Sequence, residues 1–551
     1  MIVCKEIAEY LSYAKAHPKW INKEREQLIE NIVMPTLRRN DVFFDEKTYQ
    51  NCLKFCEKHY YPLFPYQKFI YAFVFMYKDN IPIFPKFFIM MGRGNGKDGF
   101  IAPLVNFLQT PLYGIKNYNV EIVANCEDQA KDTFMVIYNA MNKQCMKGKF
   151  NVTKELATNI TTGSFVRYNT ANAGTKDGKA PGCLVLNELH AYENYDQINV
   201  FESALGKVEH PREFIITTNG YVREGPLDET LDMVNTILET GENPIGYFPF
   251  ICKIDSLDEV DNEDAWHKAN PSMEFRPTLA HQIKQEYLEM QVLASKRAEF
   301  VTKRMNWPDR NDEETVTTWD NILRCCYSDI KRKTLREVPD TKGRMAIVAF
   351  DYADVRDFAS AGVLTELNGE FVWWQHTWIC EQSPFLKSIK FPIVQNYGMQ
   401  GFQDYEVVTG SSIPPEQIVK WCYDRLSEYQ VMAIVGDTYR FNMFRTIFES
   451  YGIVEYSKQQ PWGLVRLARK IGSICGIIAP EVEMFFAEGR ICYGDSAIMR
   501  WYTNNTEVKT DKYGNKQFGK IEPKLRKNDG FMAVIVAMFF KDLIKEKVVY
   551  V

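Results

Sequence analysis

Short apolar runs alternate with longer segments of helical spacing in the first half of the chain. Apolar runs at 118–124, 183–186 and 213–218 predict strands, and the 3.6-residue spacing across 128–141 predicts a helix. Strands that alternate with helices are typical of an α/β sheet, where ligands bind beyond the carboxyl ends of the strands. Each of these strands is followed by polar residues, so we expect a ligand site at this sheet edge.

The same alternation begins again near residue 345. A strand at 345–350 leads into Asp351, and strands at 361–365 and 371–375 flank Asn368-Gly369, the preferred dipeptide of a tight hairpin. This pattern predicts a second α/β domain.

Two further elements of the second domain end or begin with an aspartate. A helix at 414–428 precedes a strand at 431–435 that leads to Asp437, and a long final helix at 529–545 begins with Asp529. Together with Asp351, this places one aspartate at each of three element ends.

The changes in pattern predict four parts. Residues 1–60 have helical spacing and form a helical N-terminal appendage, and 61–308 form the first α/β domain. Within that domain, 239–308 is charged and helical, which is typical of a lid or of a solvated helix face. The polar segment 309–342 is the predicted linker, and 343–551 form the second domain.

Composition narrows the class of protein. The chain has 551 residues with 46% apolar and 25% charged residues, which is typical of a multidomain globular protein. A net charge of −5 requires any nucleic-acid surface to be a local basic patch. Thirteen cysteines without zinc spacing indicate reduced thiols in a cytosolic compartment. We expect neither a signal peptide nor a membrane span, since the longest apolar run covers only 531–540.

A glycine-rich turn follows the apolar run at 86–91. It reads Gly92-Arg-Gly-Asn-Gly-Lys97, and such a turn exposes backbone N–H groups to a phosphate while the lysine supplies a charge. Two positions depart from the usual phosphate loop: Met91 replaces the outer glycine, and Asp98 replaces the hydroxyl residue that contacts magnesium. The residues expected to surround the phosphates are Gly92, Gly94, Asn95, Gly96 and Lys97.

Glu188, at the end of a predicted strand, is the candidate for orienting the water that attacks ATP. The preceding position, where an aspartate usually binds magnesium, is Asn187. We hypothesise that the two departures compensate, with Asp98 supplying the carboxylate that Asn187 lacks. The alternative is a degenerate site, because a carboxylate near a triphosphate repels it.

Other candidates in the first domain each have a structural alternative. Arg93 suits an arginine-finger role at the γ-phosphate, or is a surface arginine. Gln67 offers a donor and an acceptor to adenine, although core packing is the commoner role for such a position. Thr217 and Thr218 either couple phosphate state to motion or end a strand in a turn.

In the second domain, Asp351, Asp437 and Asp529 suit a two-metal phosphodiesterase site, although aspartates also commonly cap helices and turns. Asp357 is a further metal-ligand candidate. A basic run before the last helix suits DNA phosphates, and its cations are Lys520, Lys524, Arg526 and Lys527.

Taken in order, ten short motifs resemble the large terminase subunit of tailed bacteriophages across roughly residues 60–545. They are Pro65–Gln67, Gly92–Lys97, Thr175–Gly178, Leu186–His190, Ile216–Gly220, Ala265–Pro271, Phe300–Asn306, Phe350–Asp351, Gly436–Asp437 and Lys527–Gly530.

The resemblance implies an additional-strand P-loop ATPase joined to a ribonuclease H-like nuclease. In the ATPase, it implies that Lys97 and Arg93 contact phosphates, Glu188 is the catalytic carboxylate, Thr217 and Thr218 form the coupling segment, and Gln67 faces adenine. In the nuclease, it implies that Asp351, Asp437 and Asp529 hold two Mg²⁺ or Mn²⁺ ions, while the motor uses ATP with Mg²⁺.

The resemblance also implies a function and partners. ATP hydrolysis would drive double-stranded DNA through a portal protein into a procapsid, and the nuclease would cut concatemeric DNA. A small terminase subunit would select the sequence, and a ring of copies would act at the portal in the host cytoplasm, absent from the mature virion. The rival interpretations are another DNA translocase or helicase fused to a nuclease, and a non-catalytic DNA-binding scaffold.

Overall fold

The structure is a computed structural model, and its described part forms two compact units, Met1–Arg310 and Asn311–Val551. The residues described are 2–170, 180–192, 195–223, 225–293, 296–308, 315–329, 334–335, 339–352, 358–383, 386, 405–438, 441–494, 496–510, 516–520 and 526–544. The four-part division into 1–60, 61–308, 309–342 and 343–551 stays a prediction.

The first unit is built from helices around one large sheet. Its described helices are α1 Lys5–Ala16, α2 Lys23–Gln27, α3 Met34–Arg38, α4 Glu46–His59, α5 Pro65–Val74, α6 Lys97–Leu108, α7 Glu127–Met141, α8 Asp196–Glu202, α9 Pro226–Thr240, α10 Trp266–Ala269, α11 Pro277–Val292 and α12 Arg297–Glu299. Its described strands are β1 Phe43–Phe44, β2 Met76–Lys78, β3 Ile81–Pro82, β4 Lys86–Met90, β5 Asn119–Ala124, β6 Phe150–Val152, β7 Leu156–Asn159, β8 Phe165–Thr170, β9 Pro181–Asn187, β10 Arg212–Thr217 and β11 Tyr247–Ile251.

The described strands of the large sheet run in the order β11-β4-β10-β9-β5-β8-β7-β6, and the six from β11 to β8 are parallel. Their apolar side chains are buried on both faces, as expected of parallel strands covered by helices. Strand β10 lies between β4, which leads into the glycine-rich turn, and β9, which leads into Glu188. This inserted strand confirms the additional-strand P-loop prediction.

Strand β11 was not predicted. The segment 239–308 was expected to be helical throughout, but Tyr247–Ile251 pairs with β4 at the edge of the sheet. Pro249 lies within this strand, and an edge strand tolerates proline because one of its sides needs no backbone donor. Beyond β11, the segment is helical and has its own core around Trp266 and Phe300.

The N-terminal helices share the core of the large sheet. Tyr10 of α1 packs on Phe69 of α5 with ring centroids 4.3 Å apart, and Leu28, Ile32 and Val33 join the same apolar cluster as the sheet. The hydrophobic core therefore continues across residue 60.

The second unit also surrounds a mixed sheet. Its described helices are α13 Trp319–Arg324, α14 Pro415–Arg425, α15 Asn442–Ser450, α16 Ile471–Ala487, α17 Ala497–Asn504 and α18 Asp529–Phe539. Its described strands are β12 Ser328–Asp329, β13 Thr334–Leu335, β14 Met345–Tyr352, β15 Phe358–Leu367, β16 Glu370–Cys380, β17 Tyr405–Val408, β18 Gln430–Asp437, β19 Val465–Ala468, β20 Ile491–Cys492, β21 Thr506–Thr510 and β22 Lys516–Lys520.

Among the described residues, this sheet has the order β17-β16-β15-β14-β18-β19, with β20 beside β16. The meander from β14 to β16 is antiparallel, whereas β18 and β19 continue parallel to β14. This arrangement confirms the ribonuclease H-like prediction. Separate apolar clusters cover the two faces.

The predicted hairpin joins β15 to β16 at Asn368-Gly369, which have φ values of 54° and 84°. Positive φ at both central residues is the geometry that Asn-Gly favours, so this prediction is confirmed. The final helix is shorter than predicted: α18 ends at Phe539, and a 3₁₀ turn over Lys541–Leu543 replaces its last turns.

The segment predicted as a linker contributes to the second core. In its described part, α13 is capped by the Thr318 hydroxyl, which accepts from the Asn321 amide, and Ile322 and Cys325 are buried in the sheet's apolar cluster.

Candidate nucleotide and nuclease sites

The glycine-rich turn connects β4 to α6 and opens the helix at Lys97. Gly94 and Gly96 have φ values of 88° and 78°, a left-handed geometry that glycine adopts without a steric penalty. Within the described part of the chain, the amides of Gly94, Gly96 and Lys97 donate to no protein acceptor. Unused amides at a helix N-terminus beside a lysine fit a phosphate group.

The outer half of the turn is held from behind by the segment after β11. The Gly92 amide donates to the Ala269 carbonyl at 2.9 Å, and a Cβ on Gly92 would lie only 2.4 Å from the Arg304 carbonyl oxygen. Buried Asn95 donates to the Asn270 side chain at 2.7 Å and accepts from the Ser272 amide at 3.0 Å. The turn is therefore a rigid part of the fold.

Two arginines of the same segment bind carbonyls of the turn. Arg276 donates to the Gly94 carbonyl at 2.8 Å, and Arg304 donates to the Arg93 carbonyl. Arg304 is itself fixed by two bonds to Glu286, at 2.6 and 2.5 Å. Because the carbonyls are satisfied on this side, the free amides can face a ligand on the other.

Lys97 and Glu188 meet at the sheet edge, with Nζ and Oε1 3.9 Å apart. Burial lowers the pKa of Lys97, and Glu188 and Asp98 oppose that shift. Burial would raise the pKa of Glu188, but Lys97 and His190 outweigh it and hold this pKa at about 2. Glu188 is therefore a carboxylate at neutral pH, as the water-orienting role requires.

His190 links Glu188 to the predicted coupling segment. Its Nδ1 lies 3.0 Å from Glu188 Oε2 and 3.3 Å from the hydroxyls of both Thr217 and Thr218. Burial lowers the pKa of His190, so the ring is neutral at neutral pH, and it lies against Glu188 Oε2, an oxygen that has no hydrogen-bond partner among the described residues. Glu188 has a φ of 55°, a strained conformation for a residue with a side chain.

The segment that follows Thr218 is tied to the helical turn Phe300–Arg304 and to Asn306 beyond it. Asn219 donates two hydrogen bonds to Asn306, both at 3.0 Å, and the Lys303 ammonium donates to the Asn219 carbonyl at 2.8 Å. The Arg93 amide donates to the Lys303 carbonyl at 2.7 Å. Burial lowers the pKa of Lys303 to about 8. A continuous set of contacts thus joins Glu188 to the glycine-rich turn.

Asp98 and Asn187 lie together, as the compensation hypothesis requires. Asn187 Nδ2 lies 3.3 Å from Asp98 Oδ1, and both contact the hydroxyl of buried Thr133 on α7. Carboxylate and amide oxygens suit a divalent cation here. Metal binding by these residues stays a prediction.

Two other candidates have protein partners in this structure. The Arg93 guanidinium is about half exposed and pairs with Glu299 at 2.7 Å. Gln67 is buried, and its side-chain oxygen accepts from the Phe64 amide at 2.9 Å, capping its own helix α5. Their roles at the γ-phosphate and at adenine stay predictions.

The nuclease candidates gather at one edge of the second sheet. Phe350 pairs with Gly436 in the parallel strands β14 and β18, so Asp351 and Asp437 follow at the same level. Asp529 begins α18, which packs on β14 and β15. The structure therefore brings the three aspartates to one place.

The charges at this edge interact. Burial, together with Asp529 and Asp437, raises the pKa of Asp351 to about 8, whereas Lys520 opposes the shift. Buried Asp529 has one oxygen, Oδ2, without a hydrogen-bond partner among the described residues. Crowded carboxylates with an unsatisfied oxygen fit divalent cations. In the described part of the chain, however, no three His, Cys, Asp or Glu side chains are arranged closely enough to hold a metal.

The predicted DNA-contacting cations differ in burial and in their partners. Lys520 lies 3.3 Å from Asp529, whereas Arg526 and Lys527 are buried, and Arg526 donates to Asn505 at 3.2 Å. Lys524 lies outside the described residues, as do Asp357 and the motif at Thr175–Gly178.

Sequence reasoning missed several residues that build the motor site. They are Thr133, His190, Asn270, Arg276, Lys303, Arg304 and Asn306. His190, Asn270 and the residues at 303–306 lie in motifs that carry the resemblance, which was the available signal. Thr133 and Arg276 gave none, because their contacts are distant in sequence.

Two family models match the chain. The model described as terminase large subunit, ATPase domain, matches residues 65–236, and the one described as terminase large subunit, endonuclease domain, matches residues 243–542. The second match alone covers more than half of the chain.

Individual relatives are distant. Protein YmfN of Escherichia coli (strain K12) is 26% identical over 207 residues, which is 35% of this chain and 41% of that protein's length. The large terminase of bacteriophage HK97 aligns over 90% of this chain and 100% of its own, with 16% identity and a TM-score of 0.46. The large terminase nuclease of the thermophilic phage G20c with bound magnesium aligns over 41% and 96%, with 10% identity and a TM-score of 0.27.

Among the helices that the structure describes, we find none with the length and apolar character needed to cross a bilayer. The two matched models, in the order ATPase then endonuclease, imply use of a nucleotide and of divalent metal. The chain belongs to the large-subunit family of terminases, with an ATPase domain followed by an endonuclease domain.

Proposed function

We propose that this chain is the packaging motor and nuclease of a tailed bacteriophage. ATP hydrolysis drives double-stranded DNA into a procapsid, and the nuclease cuts concatemeric DNA at the start and end of packaging. The observation that carries the proposal is the contact between Lys97 and Glu188 at the end of the P-loop, in a chain whose second unit gathers three aspartates at one sheet edge.

In the motor, the free amides of Gly94, Gly96 and Lys97 and the Lys97 ammonium bind the phosphates of ATP. Glu188 orients the attacking water, and His190 holds the Glu188 carboxylate in place. Asp98 and Asn187 would hold Mg²⁺, which would neutralise phosphate charge. Arg93 leaves Glu299 and contacts the γ-phosphate when nucleotide is bound.

The order of contacts from Glu188 through His190 to Thr217, Thr218 and Asn219 supports a coupling role for this segment. A change in the position of Glu188 is passed to the segment through His190. Lys303 and Asn306 then pass it to the helical segment that backs the glycine-rich turn.

In the nuclease, Asp351, Asp437 and Asp529 would hold two Mg²⁺ or Mn²⁺ ions, with Asp357 as a further candidate. Such cations would stabilise the negative charge that develops during phosphodiester cleavage. Burial and the neighbouring Asp529 and Asp437 raise the pKa of Asp351, and Asp529 Oδ2 has no hydrogen-bond partner among the described residues, so added positive charge at this edge would stabilise both carboxylates.

The proposed partners follow from the family. They are double-stranded DNA, the portal protein, the small terminase subunit and further copies of this chain in a ring on the procapsid. Transport of duplex DNA favours backbone contacts over base readout, since every sequence must pass. The proposed location is the host cytoplasm, with the protein absent from the mature virion.

A translocation assay separates this function from that of a helicase. A packaging motor moves on intact duplex, so it should displace a triplex-forming oligonucleotide in an ATP-dependent manner and leave a forked duplex unseparated. The Glu188→Gln variant, which keeps the side-chain shape, should not displace the oligonucleotide and should also leave the forked duplex unseparated. Strand separation without triplex displacement would favour the helicase interpretation. Absence of ATP hydrolysis and of cleavage would favour the scaffold.

A further inference from the structure

The geometry points to a DNA-backbone contact surface formed by Arg445, Arg469 and Lys470, which we call the β19 basic corner. This inference rests on the proposed nuclease function, because it concerns the substrate of that site. It assigns the DNA contact to the β19 side of the nuclease edge, whereas the basic run before α18 was the place predicted from sequence.

Position in the sheet supports the assignment. Strand β19 is parallel to β18, with Asp437 paired to Ala468, so Arg469 and Lys470 leave β19 at the edge where Asp437 leaves β18. Adjacent strands lie about 4.8 Å apart, so the backbone of these cations leaves the sheet next to that of Asp437. A phosphodiester bound at those carboxylates has flanking phosphates within reach of long cationic side chains.

Exposure and charge support it as well. The Arg469 side chain is 75% exposed, and Lys470 is exposed and makes no ion pair with any described residue. Arg445 and Arg469 share a single acid, Glu455, at 3.4 and 4.0 Å. The corner thus carries two positive charges in excess, on side chains that can reorient toward a phosphate.

The predicted basic run offers less to a ligand. Arg526 and Lys527 are buried, and the Lys520 ammonium lies against Asp529. A buried cation, or one that lies against an aspartate, is poorly placed to meet a phosphate. In the β19 basic corner, Lys470 pairs with no described acid, and Arg469 is 75% exposed and only 4.0 Å from its one acid, Glu455, so both side chains can turn to a phosphate at little cost.

The test compares DNA binding by the full chain and its variants. The double variant Arg469→Gln/Lys470→Asn removes two charges, and asparagine suits the left-handed backbone of Lys470, whose φ is 59°. The matched control is Lys420→Gln/Lys458→Gln. It also removes two charges from the second unit, on α14 and in the loop that leads into the opposite end of β19.

Binding is measured by fluorescence anisotropy on a labelled 30-base-pair duplex over a salt series, with EDTA present so that no cleavage occurs. Loss of two phosphate contacts should make the slope of log K against log[salt] shallower by about 1.8 and weaken binding roughly tenfold. In Mg²⁺, the KM for duplex cleavage should rise while kcat stays unchanged. The control and the charge-conserving Arg469→Lys variant should match the wild type.

The inference would be overturned if the double variant kept the salt slope, the DNA affinity and the KM of the wild type. It would also be overturned if the control variant lost as much DNA affinity as the double variant. If the double variant melts at a lower temperature, Lys470→Gly keeps the left-handed backbone, and its expected slope change of about 0.9 decides the question. If the wild type fails to cleave DNA in Mg²⁺ or Mn²⁺, the nuclease proposal fails. The binding comparison still decides whether the β19 basic corner contacts DNA.

Discussion

At the residue scale, Asp98 and Asn187 show how two departures from a motif can form one arrangement. Each is unusual alone, yet they lie 3.3 Å apart and share the Thr133 hydroxyl. The site keeps one carboxylate and one neutral side chain, with their usual positions exchanged.

The exchange predicts a specific double-mutant result. Asp98→Ser leaves the Asn187 amide without its carboxylate acceptor, and Asn187→Asp places two carboxylates face to face, so each single change should lower ATP turnover. The double variant Asp98→Ser/Asn187→Asp should recover most of it, as measured by steady-state phosphate release. Additive damage, or no damage in the single variants, would contradict the compensation.

At the same scale, we propose that His190 positions Glu188. The His190 Nδ1 lies 3.0 Å from Glu188 Oε2, so loss of the ring in His190→Ala should misplace that carboxylate and lower the kcat of ATP hydrolysis roughly 10- to 100-fold. The KM for ATP should change little, because the phosphate-binding amides are untouched. His190→Asn keeps a donor near the position of Nδ1 and should restore part of the loss. An unchanged kcat in His190→Ala would contradict this role.

Local spacing in the sequence predicts which residues would contact phosphate and metal, but not which residues hold those side chains in place. Glu188 follows directly from the end of an apolar run, whereas Thr133 and Arg276 reach the site from elements distant in sequence. Arg526 and Lys527 were predicted to face DNA, and nothing in their spacing indicated that both side chains would be buried.

At the element scale, apolar runs predicted most of the strands, because buried parallel strands are apolar on both faces. Strand β11 was not predicted because its five residues include a proline, which usually argues against a strand. Packing of the segment after β11 against the glycine-rich turn was also unpredictable, since it depends on contacts across roughly 180–210 residues.

The packing of the segment after β11 against the glycine-rich turn predicts the effect of adding a methyl group at Gly92. Gly92→Ala places a Cβ against the Arg304 carbonyl, which is backbone and cannot move alone, so the free energy of unfolding of the first unit should fall by about 1–3 kcal/mol. ATP hydrolysis should fall with it as the turn is displaced. Thermal melting of the full chain measures the first effect and phosphate release the second.

Gly472→Ala is the matched control. Its Cβ would meet Gln517 at 3.6 Å, an ordinary contact, and alanine favours a helix over glycine by roughly 0.5–1 kcal/mol. We expect stability to be equal or higher in this variant. Equal melting and equal ATPase activity in Gly92→Ala and the wild type would show that the backing segment does not hold the turn.

At the scale of the whole molecule, the candidate ATPase residues lie in the first unit and the candidate nuclease residues in the second, and each unit has its own hydrophobic core. Lys97→Ala should therefore reduce ATP hydrolysis at least about 100-fold and leave metal-dependent plasmid cleavage intact. Asp437→Asn should reduce plasmid cleavage and leave ATP hydrolysis intact. Phosphate release and plasmid nicking, measured on the same preparations, check both statements. Cleavage that survives both Asp351→Ala and Asp437→Ala would remove the nuclease assignment.

The central claim is that ATP hydrolysis by this chain moves duplex DNA into a procapsid. The most direct measurement mixes the chain with cognate portal-bearing procapsids, linear duplex DNA and ATP, then adds DNase and measures the protected DNA. We predict protection that requires ATP and is lost in Glu188→Gln. Equal DNA degradation with and without ATP, from a preparation that hydrolyses ATP, would contradict the account.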